Sequence, residues 1–139
     1  MKSGVVALVS GGTDSAVMLA VLGRRHGAVH PLYIRFGLAW EKAELAALRA
    51  FLARARLPRV RPLTVATLPV AAAYGRHWSV TGRGAPGARS ADERMYLPGR
   101  NLLLLARGAL ECAARGVGAV ALGTLRANPF GDATPRFRA

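Results

Sequence analysis

Apolar residues in this chain come in short runs set off by glycine turns, and two spacings alternate along it. Val5-Val6-Ala7-Leu8-Val9 is a β-branched run of strand length. Ser10-Gly11-Gly12-Thr13-Asp14-Ser15 follows at once and leads into the apolar stretch Ala16 to Leu22, which reads as a helix. Arg24-Arg25-His26-Gly27 supplies a basic last turn and a glycine stop. His30 to Phe36 predicts a second strand with Gly37 as its exit. From Trp40 to Arg56, Leu45, Leu48 and Leu52 recur at helical spacing, and Phe51 broadens their stripe. Leu57-Pro58 ends that helix, and Val60 to Thr67 predicts a third strand. Leu68 to Arg94 has no clear period, and its tail is rich in glycine, proline and arginine. A loop of that length inside a compact domain is usually functional, so residues 68–95 are expected to form a mobile lid or substrate loop. A helix from about Leu102 to Arg115 is apolar nearly all round and is expected to lie buried against a sheet, and Ala119 to Thr124 predicts a fourth strand.

Strands alternating with helices predict an α/β fold, a doubly wound parallel sheet of four to five strands with helices on both faces. Ligands of such sheets bind at the carboxyl ends of the strands, where the 10–15 loop, Gly37, Arg100 and the segment after Thr124 should meet. At 139 residues the chain is read as one domain, 1–139, without repeat or linker. Thr134-Pro135 looks like a helix start, yet only four residues follow, so a continuation beyond Ala139 is expected.

Composition narrows the setting. Apolar residues make up 52% of the chain, enough for a real core, but their runs are too short and too broken by arginine to span a membrane. Neither a signal peptide nor any disulfide framework is legible, since Cys112 is the single cysteine, and a cytoplasmic protein is expected. The net charge of +13 comes almost wholly from arginines scattered along the sequence. They suit an anionic small molecule; a nucleic-acid partner is compatible but not favoured, because basic residues form no tight run with interleaved aromatics. A homodimer is also compatible.

The loop between the first strand and its helix carries the chemistry. Its glycines allow close approach of backbone to ligand, Ser10, Thr13 and Ser15 offer hydroxyls, and the helix N-terminus offers free N–H groups, which together make a phosphate cradle. No lysine follows in the Walker position, and no Gly-x-Gly-x-x-Gly follows the strand, so neither of those phosphate-binding patterns applies. Asp14 would repel phosphate and suits Mg²⁺, an oxygen-loving ion that bridges to it. Arg100, at a helix start, has the guanidinium fork that matches phosphate oxygens. His26, His30 and His77 have no metal-ligand spacing, and Cys112 sits among helical alanines as a core residue would.

Ser10-Gly11-Gly12-Thr13-Asp14-Ser15 resembles the loop of the PP-loop ATP pyrophosphatases, which have the adenine nucleotide alpha hydrolase-like fold and split ATP between its α and β phosphates. Within that superfamily the chain is similar to 7-cyano-7-deazaguanine synthase of queuosine biosynthesis. Ile34-Arg35-Phe36-Gly37 with Glu41 and Glu44 resembles that family's second strand and acidic helix start. Pro98-Gly99-Arg100-Asn101 resembles its arginine–asparagine signature, and Gly123-Thr124 with Asn128 to Asp132 resembles its substrate-side loop. Three features depart from the family. Leu38-Ala39-Trp40 replaces its polar residues, Asp132-Ala133-Thr134 replaces an aspartate–cysteine–arginine trio, and its four zinc-binding cysteines have no counterpart here, so any zinc would need ligands beyond Ala139.

The resemblance implies an ATP- and Mg²⁺-dependent C–N ligase-type synthase that adenylates a deazapurine carboxylate and converts it with ammonia. Val9, Ser10, Gly11, Gly12, Thr13, Asp14, Ser15 and Ala16 would bind ATP together with Ile34, Phe36 and Arg100. Asp14, Ser15 and Arg100 would be catalytic, Asp14 the Mg²⁺ ligand, and Asn101 and Asp132 substrate-binding. Another PP-loop enzyme, tRNA-modifying or amidotransferase-type, or a non-catalytic nucleotide-binding remnant, stays open as an alternative.

Overall fold

The computed structural model of the chain describes residues 3–89, 97–124 and 136. The expected roles of Asp132, of the 128–132 loop and of a helix start at Thr134 fall outside them.

Four strands, β1 (Gly4–Leu8), β2 (Ala28–Arg35), β3 (Thr64–Thr67) and β4 (Val120–Leu122), form one all-parallel sheet in the order β3-β2-β1-β4. Val6 pairs with His30 on one side and Val120 on the other, so β1 is central. Of the third strand expected from Val60, only Thr64–Thr67 pairs as a strand, and Val60 makes an isolated bridge to Val29. Pro62 interrupts the run, since it has no N–H for a ladder.

The apolar runs of β1 and β2 are buried on both faces, as parallel strands are. Val5, Ala7, Val9, Val29 and Tyr33 face one core, which α1 (Thr13–Arg25) and α2 (Glu41–Arg54) fill with Leu19, Leu45 and Leu48. Val6, Leu8, Leu32 and Ile34 face the other, covered by α5 (Arg100–Arg115) through Leu104, Leu105 and Cys112. The Cys112 thiol donates to the Ala119 carbonyl at 3.3 Å, which matches its reading as a core residue. Helices on both faces of a parallel sheet make this the α/β fold anticipated, of the adenine nucleotide alpha hydrolase-like kind.

Two expectations change. Helix α5 is not buried all round: Leu102 and Leu110 stay 64% and 66% exposed. A helix lying on a sheet covers it with one stripe only, and here that stripe includes Gly108, where an added Cβ would stand 2.8 Å from Val120. The stretch after Leu68, read from sequence as having no period, is not all loop in its described part, and residues 90–95 of the expected lid or substrate loop lie outside the described residues. The described part holds two one-turn helices, α3 (Ala71–Tyr74) and α4 (Trp78–Thr81). The backbone of α4 is tied to the loop after β2 by the Ala39 N–H donating to the Ser79 carbonyl at 2.7 Å, and Trp78 packs 5.2 Å from Trp40. The Tyr74 hydroxyl donates to the Pro98 carbonyl at 2.6 Å. Such short helices leave no periodicity to read. Among the described residues no helix is long and apolar enough to cross a membrane.

Candidate active site

The sheet reverses its winding at β1: α1 carries the chain to β2 on one side, and α5 returns it to β4 on the other. The carboxyl ends of β1 and β4 therefore part around a crevice, where open α/β sheets bind ligands. A cleft of about 200 Å³ opens there. Val9, Ser10, Asp14 and Ser15 line it from the first loop, Ile34 from β2, Arg100 and Asn101 from the start of α5, and Gly123 from the end of β4. Residues more than a hundred positions apart in sequence, Val9 and Gly123 among them, thus reach one rim.

Serine side chains hold the loop's shape. The Ser10 N–H donates to Ser15 Oγ at 2.7 Å, and the Gly12 N–H donates to Ser10 Oγ at 3.3 Å. The two hydroxyl oxygens are 3.1 Å apart, so one donates to the other. One hydroxyl hydrogen of the pair is then left for the cleft. Gly12 is the N-cap of α1 without a side-chain cap, and Asp14 lies in the first turn. The N–H groups of that turn have no intrahelical acceptor and favour an anion.

The two glycines differ in purpose. Neither Gly11 nor Gly12 has a positive φ, so dihedral freedom is not what the loop needs from them. At Gly11 the reason is contact, since a Cβ there would lie 2.4 Å from the backbone oxygen of Glu44 in α2. At Gly12 the nearest atom to an added Cβ is Ser10 Oγ at 3.6 Å, and the residue is exposed.

Not every residue singled out from sequence reaches the cleft. Gly11, Gly12, Thr13 and Ala16 are not among the residues that line it. Phe36 is buried in the core at 2% exposure. Its N–H donates to Glu41 Oε1, and its carbonyl accepts from Val70 N–H at 3.2 Å, so its backbone is already engaged. Ile34 does line the cleft. Glu41 itself is 4% exposed, and its carboxylate also takes the Gly37 N–H at 3.1 Å. That glycine has a φ of +83°, which closes the turn leaving β2.

Arg100 meets the electrostatic need of the site. Among the described residues it is the only basic one lining the cleft, which also carries Asp14, Glu41 and Glu44. Its Nε is buried without a hydrogen-bond partner among the described residues. A buried guanidinium N–H facing a polar cleft without an acceptor is the arrangement an anionic ligand would complete. Gly99, in the left-handed region at φ +73°, turns the chain sharply so that α5 begins at Arg100.

Sequence reasoning missed Tyr33. Its hydroxyl donates to Glu44 Oε2 at 2.7 Å, and both residues line the cleft. Burial first, then the hydrogen bond to Glu44, pushes the phenol far above its ordinary range and keeps it protonated. The signal available was the spacing of Glu41 and Glu44, three apart on one helix face and beside the loop following β2. Of the histidines, His26 Nδ1 lies 3.2 Å from the Ser3 carbonyl, and His77 Nδ1 accepts the Ser79 N–H at the start of α4.

A family model described as queuosine biosynthesis protein QueC matches residues 4–138, almost the whole chain. The chain belongs to the QueC family. The QueC family lies within the PP-loop superfamily and is that of 7-cyano-7-deazaguanine synthase, so Ser10 to Ser15 is a PP-loop by descent as well as by pattern. QueC membership places the chain among enzymes of queuosine biosynthesis that act on a small molecule. No curated protein matches the chain.

Proposed function

We propose that the chain is an ATP-dependent synthase converting 7-carboxy-7-deazaguanine, with ammonia, into 7-cyano-7-deazaguanine. One observation carries the reading: the serine-braced loop, the first turn of α1 and the unpartnered Nε of Arg100 border a single cleft. Donors converge there on a space suited to a polyanion.

Ammonia cannot expel oxide from a carboxylate, so the oxygen must first become a leaving group. Attack of the carboxylate on the α-phosphorus of ATP forms the acyl-adenylate and releases pyrophosphate. Ammonia then displaces AMP to give the amide. A nitrile keeps neither carboxylate oxygen, so the amide oxygen requires a second activation of the same kind. Loss of AMP and a proton from that second adduct leaves the nitrile. At each activation pyrophosphate departs with several negative charges, and catalysis consists mainly of positioning and charge stabilisation. The amides from Gly11 to Ser15, with the spare hydroxyl of the Ser10–Ser15 pair, would receive that charge. Arg100 would bind phosphate oxygens through its free N–H. Asp14, which lines the cleft, would hold Mg²⁺, an ion that usually combines one or two carboxylates with phosphate and water. Ile34 and Leu38 would offer an apolar wall to a base, and Asn101 a polar contact to the substrate. Cys112 is committed to the core, so the described residues include no thiolate set for zinc.

The test is pyrophosphate release from ATP and Mg²⁺ with and without the deazapurine carboxylate and ammonium. The expected result is release that depends on the carboxylate, two pyrophosphates for each nitrile. Release indifferent to the deazapurine would point to another PP-loop chemistry, and no release at all would leave only nucleotide binding.

A further inference from the structure

Tyr33 and Glu44 are the part of the cleft that the reaction above leaves without a task. Helix α2 reaches the site at two places one turn apart. Its first residue, Glu41, takes the N–H groups of Phe36 and Gly37 and so fixes the turn after β2. Glu44 touches the phosphate loop instead: its backbone oxygen and Cγ would stand 2.4 and 3.1 Å from a Cβ on Gly11. Nothing but glycine fits between loop and helix there. The Glu44 side chain is tethered in turn by the Tyr33 hydroxyl, which projects from β2. The loop thus rests on Glu44, and Glu44 is anchored to the sheet through Tyr33.

We infer that Glu44 is a positioning residue that sets the placement of the Ser10–Ser15 loop, with Tyr33 as the anchor that fixes Glu44. The inference rests on that loop being the seat of the triphosphate, and it adds the device that preorganises it. A glycine-containing loop loses conformational freedom on binding unless something already holds it. The Ser10–Ser15 bonds hold it from within, and Glu44 holds it from outside. Burial and the bond to Glu44 raise the Tyr33 phenol, so it remains a donor at neutral pH.

The test compares wild type with Tyr33→Phe, Glu44→Ala and Glu44→Gln by calorimetric titration with Mg²⁺–ATP, by thermal melting, and by the amide resonances of Gly11 and Gly12 without ligand. Tyr33→Phe and Glu44→Ala should weaken ATP binding about tenfold, the scale of one lost hydrogen bond to a charged group. In turnover the loss should fall on the KM for ATP more than on kcat. Glu44→Gln should bind within about threefold of wild type, because its amide oxygen still accepts the Tyr33 hydroxyl. In Tyr33→Phe, which removes one exchangeable group and leaves α2 intact, both glycine amides should shift in the ligand-free protein. Unmoved glycine amides in Tyr33→Phe would overturn the inference, as would wild-type ATP affinity in a folded Glu44→Ala. Glu44→Gln as weak as Glu44→Ala would assign the effect to the carboxylate's charge and overturn it equally. Failure of the wild type to bind ATP would strike the proposed function itself, and the ligand-free resonances would still judge the brace.

Discussion

Replacing each glycine of the loop by alanine separates support from binding. At Gly11 the new methyl would sit 2.4 Å from the Glu44 carbonyl oxygen and 3.1 Å from its carbon, both backbone atoms of a packed helix. Neither can rotate away, so loop or helix must move. Overpacking of this kind costs about 1–3 kcal/mol, offset by roughly 0.4–1 kcal/mol from the stiffer unfolded chain. The φ of Gly11 is not positive, so backbone strain adds nothing, and a net loss of about 1–2 kcal/mol remains. For a chain of this size that is a fall in Tm of roughly 3–8 °C. At Gly12 the nearest atom is Ser10 Oγ at 3.6 Å, and φ −85° with ψ 167° is open to alanine. Gly12→Ala should therefore change stability by less than about 0.5 kcal/mol, yet it places a methyl on the exposed side, where phosphate would approach. Differential scanning calorimetry of both variants, followed by ATP titration, tests the pair. Gly11→Ala melting with wild type would refute the contact with α2. Gly12→Ala with undiminished ATP affinity would refute the close approach of ligand to the loop backbone.

Three further outcomes follow from the packing. Gly108→Ala gains about 1 kcal/mol of helix propensity but drives a Cβ to 2.8 Å from Val120, so urea unfolding should show a net loss of about 1 kcal/mol. Glu111 is nearly buried and bonds Arg107 at 3.1 Å and Arg115 at 2.7 Å; Glu111→Gln should cost about 1–2 kcal/mol at neutral pH. Burial pushes that carboxyl up, but the two arginines together outweigh it and hold it below the ordinary glutamate value. A lowered folded value means stabilisation present above the ordinary glutamate range and lost as pH falls through the folded one, so the variant's melting temperature should approach that of wild type in acid. Tyr33 has the opposite sign: its raised value stabilises the fold below the ordinary phenol range and withdraws that support in strong alkali. Ultraviolet titration of wild type against Tyr33→Phe should accordingly show the same tyrosinate signal through the ordinary phenol range around pH 10.

How legible the fold was depended on period. β1 and β2 are runs of β-branched and apolar residues, and the Leu45–Leu48–Leu52 stripe has helical spacing, so strand, loop and helix order could be read directly. The short helices α3 and α4 could not, because one turn contains no repeat and these are held by tertiary bonds such as Ala39 to Ser79. The exposure of Leu102 and Leu110 was equally hidden: a sheet shields only one stripe of a helix, and composition cannot say where the cover ends. In the cleft, Ser10, Asp14, Ser15 and Arg100 stood out because glycine turns and a helix start announce anion chemistry. Tyr33 did not, because a tyrosine inside a strand looks like core until its hydroxyl partner, eleven residues on, is brought beside it.

A crystal structure of the protein with Mg²⁺ and a non-hydrolysable ATP analogue bears most directly on the account. The β and γ phosphates should lie against the amides between Gly11 and Ser15, with Arg100 Nε donating to a phosphate oxygen. A triphosphate bound elsewhere, with the loop after β1 and Arg100 both left without it, would contradict the account at its root.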